Sequence, residues 1–176
     1  IAEEFSRAAS GGVGFAKAAG NYAAQFYPTA LAQKKGYQQI VWTDASTHEY
    51  LEEAGTMNIF FRIKDKIITA PNNDRILDGI TRKSIIQIAK DNDIDIEVRP
   101  IKVSEVIEAS KKGTLLEMFG SGTAVVVSPI KSFGFQGVNY KLPVIENPLS
   151  TLLKEKITSI QYNLSEDPHG WRLAVD

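Results

Sequence analysis

Apolar and polar positions along this chain follow two different periods. After Pro148, the residues Leu149, Leu153, Ile157, Ile160 and Leu164 recur at steps of three and four. That is the spacing of one helix face, and Pro148 suits the position that opens it. Residues 81–91 share the period, with Ile85, Ile88 and Ala89 inward. Residues 21–35 predict another helix, with Tyr22, Phe26, Ala30 and Leu31 on its apolar face and Gly36 placed to end it. Pro28 inside it lacks an amide donor and predicts a kink. Ser104 is expected to cap a helix that ends near Gly113.

Strands are predicted over 39–43, 56–63, 66–70, 94–101, 115–119, 124–128 and 139–142. Those at 56–63 and 66–70 form a hairpin across Lys64-Asp65. Gly120-Ser-Gly-Thr separates the strands at 115–119 and 124–128. Helices thus fall between strands, but hairpins break the regular alternation of a parallel doubly wound sheet. The expectation is an α+β domain around a curved, mostly antiparallel sheet.

A chain of 176 residues, 43% hydrophobic and 23% charged, is long enough for one domain with a sizeable core. Its net charge of -1 and scattered lysines give no nucleic-acid stripe. There is no cysteine, hence no disulfide and no thiolate nucleophile or metal ligand. No stretch has the roughly 20 apolar residues of a membrane span. His48 and His169 lack metal-ligand spacing, so no metal is expected.

Chemistry is suggested by four segments. In Gly11-Gly-Val-Gly-Phe-Ala-Lys17, followed by Gly20-Asn21-Tyr22, small residues crowd around Lys17. Backbone can come close to a flat group there, and an amine so placed can form a Schiff base with a carbonyl cofactor. The plainer reading is a glycine loop with a solvated lysine. In Glu52-Glu53-Ala54-Gly55-Thr56-Met57-Asn58-Ile59-Phe60, one acid turned inward would meet a protonated ring nitrogen; otherwise both are solvated loop acids. Leu77-Asp78-Gly79-Ile80-Thr81-Arg82 opens a helix whose free amides and Thr81 hydroxyl suit an anion, or form an ordinary cap. Gly120-Ser121-Gly122-Thr123-Ala124 offers either an anion nest or a tight connection.

Taken in order, with Glu117-Met118-Phe119 and Ile160-Gln161-Tyr162, these motifs resemble the C-terminal part of branched-chain amino acid aminotransferases. These are fold-type IV pyridoxal-phosphate enzymes. The resemblance implies that Lys17 carries pyridoxal 5'-phosphate, that Tyr22 hydrogen-bonds its ring oxygen and that Glu53 pairs with its ring nitrogen. Leu77 would pack on the ring. Ile80, Thr81 and Thr123 would hold the phosphate, and Thr56 and Ala124 the substrate carboxylate. The implied reaction moves the amino group of L-leucine, L-isoleucine or L-valine to 2-oxoglutarate, giving L-glutamate. A cytoplasmic homodimer is expected, with no nucleic acid or membrane partner. Related alternatives are a D-amino acid aminotransferase or an aminodeoxychorismate lyase; a non-catalytic structural domain is the alternative from another class. The chain begins Ile1-Ala-Glu-Glu without an initiator methionine. Residues 1–176 are therefore expected to be the cofactor-binding domain of a longer protein, preceded by a small domain that supplies a phosphate-binding arginine and part of the pocket wall.

Overall fold

The structure, a computed structural model, describes residues 1–175. Its elements are α1 (Ala19–Ala23), α2 (Phe26–Lys34), β1 (Val41–Thr43), β2 (Leu51–Ala54), β3 (Met57–Ile63), β4 (Lys66–Thr69), α3 (Ile80–Asp91), β5 (Ile96–Val98), α4 (Val103–Lys111), β6 (Leu115–Gly122), β7 (Val126–Ile130), β8 (Ser132–Phe135), β9 (Val138–Lys141) and α5 (Leu149–Gln161). Seven strands form one sheet, and β8 and β9 form a separate hairpin. Within the large sheet β4 and β5 run parallel, across the α3 connection, and the other pairings are antiparallel. The architecture is α+β.

Strand β3 organises the sheet. It pairs with β6 from Asn58 to Ile63, with β2 at its start and with β4 at its end. Side chains of a strand alternate between its faces. Ile59 and Phe61 enter a core with α4 residues Val103, Val106 and Ile107 and with Phe133 of β8. Phe60 enters a second core with Ile85 and Ile88 of α3 and Leu153 and Ile157 of α5. There it stacks on Phe119 of β6, ring centroids 5.0 Å apart. The run Ile59-Phe60-Phe61 is apolar throughout because β3 is covered on both faces.

Several local expectations change in three dimensions. Residues 21–35 form two helices, broken at Ala24 and Gln25. Pro28 lies in the first turn of α2, where its missing amide has no helical acceptor to lose. The residue before α4 is Lys102, and no side chain caps that helix, so Ser104 has no capping role. Gly120 and Gly122 continue β6, leaving 123–125 as the turn into β7. Helix α5 ends before Leu164, which is exposed. Strands β2 and β8 escaped the periodicity, since β2 carries two acids and β8 two alternating aromatics beside a glycine.

The start of α5 is held from outside the helix. Glu117 of β6 is buried, and its Oε1 accepts from the Leu149 amide at 2.8 Å and from Arg62 Nη1 at 2.9 Å. Its Oε2 accepts from the Ser150 amide at 3.0 Å and the Ser150 hydroxyl at 2.6 Å. One carboxylate thus satisfies amides left open at the helix N-terminus and neutralises a half-buried arginine. Glu117→Ala in the full-length protein should lower the unfolding free energy by about 3 kcal/mol. Glu108→Ala, which removes only an exposed pair with Lys112, should leave it nearly unchanged. Urea denaturation of the two variants checks both outcomes.

Candidate active site

Glu52 and Glu53 are adjacent in β2, so they face opposite ways. Both are buried, at 4% and 3% exposure, and neither is a loop acid. Each meets its own arginine: Glu52 pairs with Arg75 Nε, and Glu53 Oε2 lies 2.5 Å from Arg7 Nη2. Glu53 Oε1 also accepts from Asn58 Nδ2 at 3.1 Å and from the Leu77 amide at 3.3 Å. Asn58 donates to the Leu77 carbonyl as well, at 2.9 Å, and so fastens the acid to the segment that leads into α3. A Cβ at Gly79 would run into Asn58 Oδ1, so that segment can come this close only with glycine there.

The glycine loop is fastened to residues 74 and 75. Asp74 accepts from the Gly11 amide at 2.5 Å and the Ser10 hydroxyl at 3.2 Å, and its carbonyl accepts from the Phe15 amide at 3.1 Å. A Cβ on Gly14 would stand 2.8 Å from the Arg75 backbone. On the other side, Asn21 Nδ2 donates to the carbonyls of Val13 at 2.7 Å and Ala16 at 2.8 Å. The loop is therefore clamped at both ends of the stretch before Lys17. The lysine itself is exposed and makes no hydrogen bond or ion pair among the described residues.

Around these clamps lies a narrow cleft lined by Arg7, Gly14, Ala16, Tyr22, Gln25, Glu53, Thr56 and Leu77. Four of the residues singled out from sequence, Tyr22, Glu53, Thr56 and Leu77, meet there. Lys17 is next to Ala16 on the lining, and its charge is felt at Glu53. Ile80 and Thr81 form the first turn of α3, which no side chain caps, so its first amides point outward without a helical partner. Thr123 and Ala124 occupy the β6–β7 turn and do not line the cleft. The pairing of Asn58 with Ser121 puts that turn and the β2–β3 turn bearing Thr56 at the same end of the sheet.

Arg82 turns away from the cleft; it is buried and donates to the Ala70 carbonyl at 2.7 Å. Lys83 pairs with Asp78 instead. A larger trough, about 540 Å³, opens elsewhere between His48, Lys102, Ile107 and Phe135. Its Lys102 and Glu49 neutralise each other at 2.9 Å, and none of the four sequence segments reaches it. Among the described residues no His, Asp and Glu cluster could hold a metal, and no helix is long and apolar enough to cross a membrane.

Sequence reasoning passed over Arg7, Asp74, Asn58 and Glu117. Asn21, Asn58 and Glu117 stood inside quoted motifs without a role. Arg7 and Asp74 stood in none.

Sheet, helices and clustered turns together make the architecture of the fold-type IV aminotransferases. The branched-chain amino acid aminotransferase of Escherichia coli superposes with a TM-score of 0.79 at 25% identity, over 96% of this chain and 54% of that one. An aminotransferase from Brucella abortus, bound to the co-factor PLP, gives 0.68 at 24% identity, over 82% and 46%. Residues 16–133 match the family model described as amino-transferase class IV, and the chain belongs to that family. A probable branched-chain-amino-acid aminotransferase of Staphylococcus aureus (strain N315) is 44% identical over 179 residues, covering 99% of this chain and 49% of the relative. The chain spans about half the length of the curated relatives it matches.

Burial pushes the Glu53 carboxyl up, to about 7, against the opposing pull of the Arg7 charge and the Leu77 amide. Its unfolded value is near 4.3, so the folded state holds the extra proton between the two. The stability from that proton is fully present below about pH 4.3 and is lost as pH rises through about 7. In the cofactor-free full-length protein, Glu53→Gln should therefore gain on the wild type as pH rises from about 5 to 8. Urea midpoints of the two proteins across that range measure the trend.

Proposed function

We propose that the protein containing this span is a pyridoxal-phosphate-dependent branched-chain aminotransferase. It would transfer the amino group of L-leucine, L-isoleucine or L-valine to 2-oxoglutarate and release branched-chain 2-oxo acids and L-glutamate. One observation carries the reading: an unpaired lysine on a clamped glycine loop is near enough for its charge to be felt at a buried carboxylate that has its own arginine. The identity to branched-chain aminotransferases supports the choice of substrate. The span acts as the cofactor-binding domain, completed by a small domain, in a cytoplasmic homodimer.

The residues present fit the cofactor. Glu53 is a buried acceptor for a ring N–H, and the uncapped α3 start offers amides to a phosphate. The deep part of the cleft admits about one water, while Lys17, Thr56, Ile80, Thr123 and Ala124 are exposed around it. A ligand would thus be held on an open face that a further wall must close to exclude water.

When bound, the cofactor supplies a ring that accepts the electron pair of the substrate Cα–H bond. Lys17 Nζ would hold the cofactor until the substrate amine displaces it; the freed amine would then be the base that takes the Cα proton and returns it to the cofactor carbon on the other side of the substrate nitrogen. Glu53 would keep a proton on the ring nitrogen by facing it with negative charge. Tyr22 would donate to the ring oxygen, and Leu77 would pack on the ring. Ile80, Thr81 and Thr123 would hold the phosphate through amides and hydroxyls, and Thr56 and Ala124 would orient the substrate carboxylate.

Lys17→Ala in the full-length protein should lose the visible absorbance of the bound cofactor and nearly all transamination of leucine. Substantial turnover would reject Lys17 as the base. Per folded site, Glu53→Gln should lose far more activity than Glu52→Gln, whose partner Arg75 lies on the other side of β2. Equal losses would reject the assignment. Thr81→Val and Thr123→Val should each weaken cofactor retention by about 1–3 kcal/mol, read by cofactor titration. Activity with D-alanine or aminodeoxychorismate, and none with leucine plus 2-oxoglutarate, would move the protein to another reaction on the same fold.

A further inference from the structure

Arg7 stands outside the motifs that carry the resemblance, yet its side chain is 7% exposed and lines the cleft. Its Nη2 meets Glu53 Oε2 at 2.5 Å and the Gly14 carbonyl at 3.0 Å, and it also donates to the Arg75 carbonyl. A single guanidinium therefore joins the acid on β2, the loop that carries Lys17 and the segment that holds Glu52.

The charges around Glu53 do not balance without it. Burial disfavours the carboxylate, and the neighbouring Glu52 adds repulsion. Arg75 pairs with Glu52, not with Glu53. Lys17 contributes attraction from farther off and ranks below Arg7 and the Leu77 amide. Arg7 is the one cation in direct contact with Glu53 among the described residues. A carboxylate can only accept hydrogen bonds, whereas a carboxylic acid carries a proton of its own to donate. The acid needs the first form to face a protonated ring nitrogen.

We propose that Arg7 is a positioning residue of the active site: seated on the Gly14 and Arg75 carbonyls, it holds Glu53 in place and favours its ionised, accepting form toward the cleft. This rests on the reaction proposed above only for its consequence in catalysis. The Glu52–Arg75 pair does the same for the second acid of β2, facing away, so that two adjacent glutamates can both be buried.

The test is a ¹³C NMR titration of the cofactor-free full-length protein labelled at glutamate Cδ, with the Glu53 signal assigned by its loss in Glu53→Gln. In Arg7→Gln the ionisation constant of Glu53 should fall by about ten- to a thousandfold. Arg7→Lys, which keeps the charge and guards against a misfolded first variant, should lower it less. In the presence of pyridoxal phosphate, kcat should follow the same order while KM for leucine changes little. An unmoved Glu53 titration in both variants overturns the proposal. A moved titration in a wild-type protein that takes up no pyridoxal phosphate supports Arg7 control of Glu53 and removes the functional reading instead.

Discussion

The double burial of β3 is the constraint on which the other elements depend. Ile59 and Phe61 require cover on one face and Phe60 on the other. That demand places α4 and the β8–β9 hairpin on one side of the sheet and α3 and α5 on the opposite side. Each large apolar side chain taken from water stabilises the fold by roughly 1.5–3 kcal/mol, and β3 contributes three in succession. Its neighbours β2 and β6 then end in turns at one end of the sheet, where exposed residues gather: Thr56, Thr123 and Ala124. The open end of the sheet is a consequence of how completely its middle is filled.

Buried charge sets the second level of organisation. Glu52, Glu53 and Glu117 all lie inside, and an unpaired carboxylate there would cost several kcal/mol. Each is matched by an arginine from a distant part of the chain. These pairs are poor sources of net stability, because desolvation offsets much of their attraction. Their value is positional. A guanidinium that must satisfy a carboxylate and backbone carbonyls has few places to be, and the loops attached to it are fixed in turn. In this way Arg7 and Arg75 bring the glycine loop against β2, and Glu117 brings α5 against β6.

The candidate site divides along the same line. Its acid is built from inward-facing contacts, while Lys17, Thr56, Ile80 and Thr123 are exposed. The groups proposed to touch a ligand and move a proton are those left exposed, which keeps them available. Groups that only orient have been tied down from several directions, as Glu53 is by Arg7, Asn58 and Leu77.

Much of this was legible in the linear chain. The helical period of residues 81–91 and 149–160 and the apolar run at 59–61 depend on neighbours a few positions away, so they specify α3, α5 and β3 directly. The glycine loop around Lys17 and the helix start at Thr81 are local signatures of the same kind, whereas Tyr22 and Glu53 were singled out only through the resemblance. The tertiary structure alone decided the partners. Gly11 and Asp74 are 63 residues apart, Arg62 and Glu117 are 55 apart, and Glu117 and Leu149 are 32 apart. No period links such positions, and composition favours no one arginine over another. Whether Glu52 and Glu53 were solvated or buried depended on Arg75 and Arg7, which only the tertiary structure brings to β2.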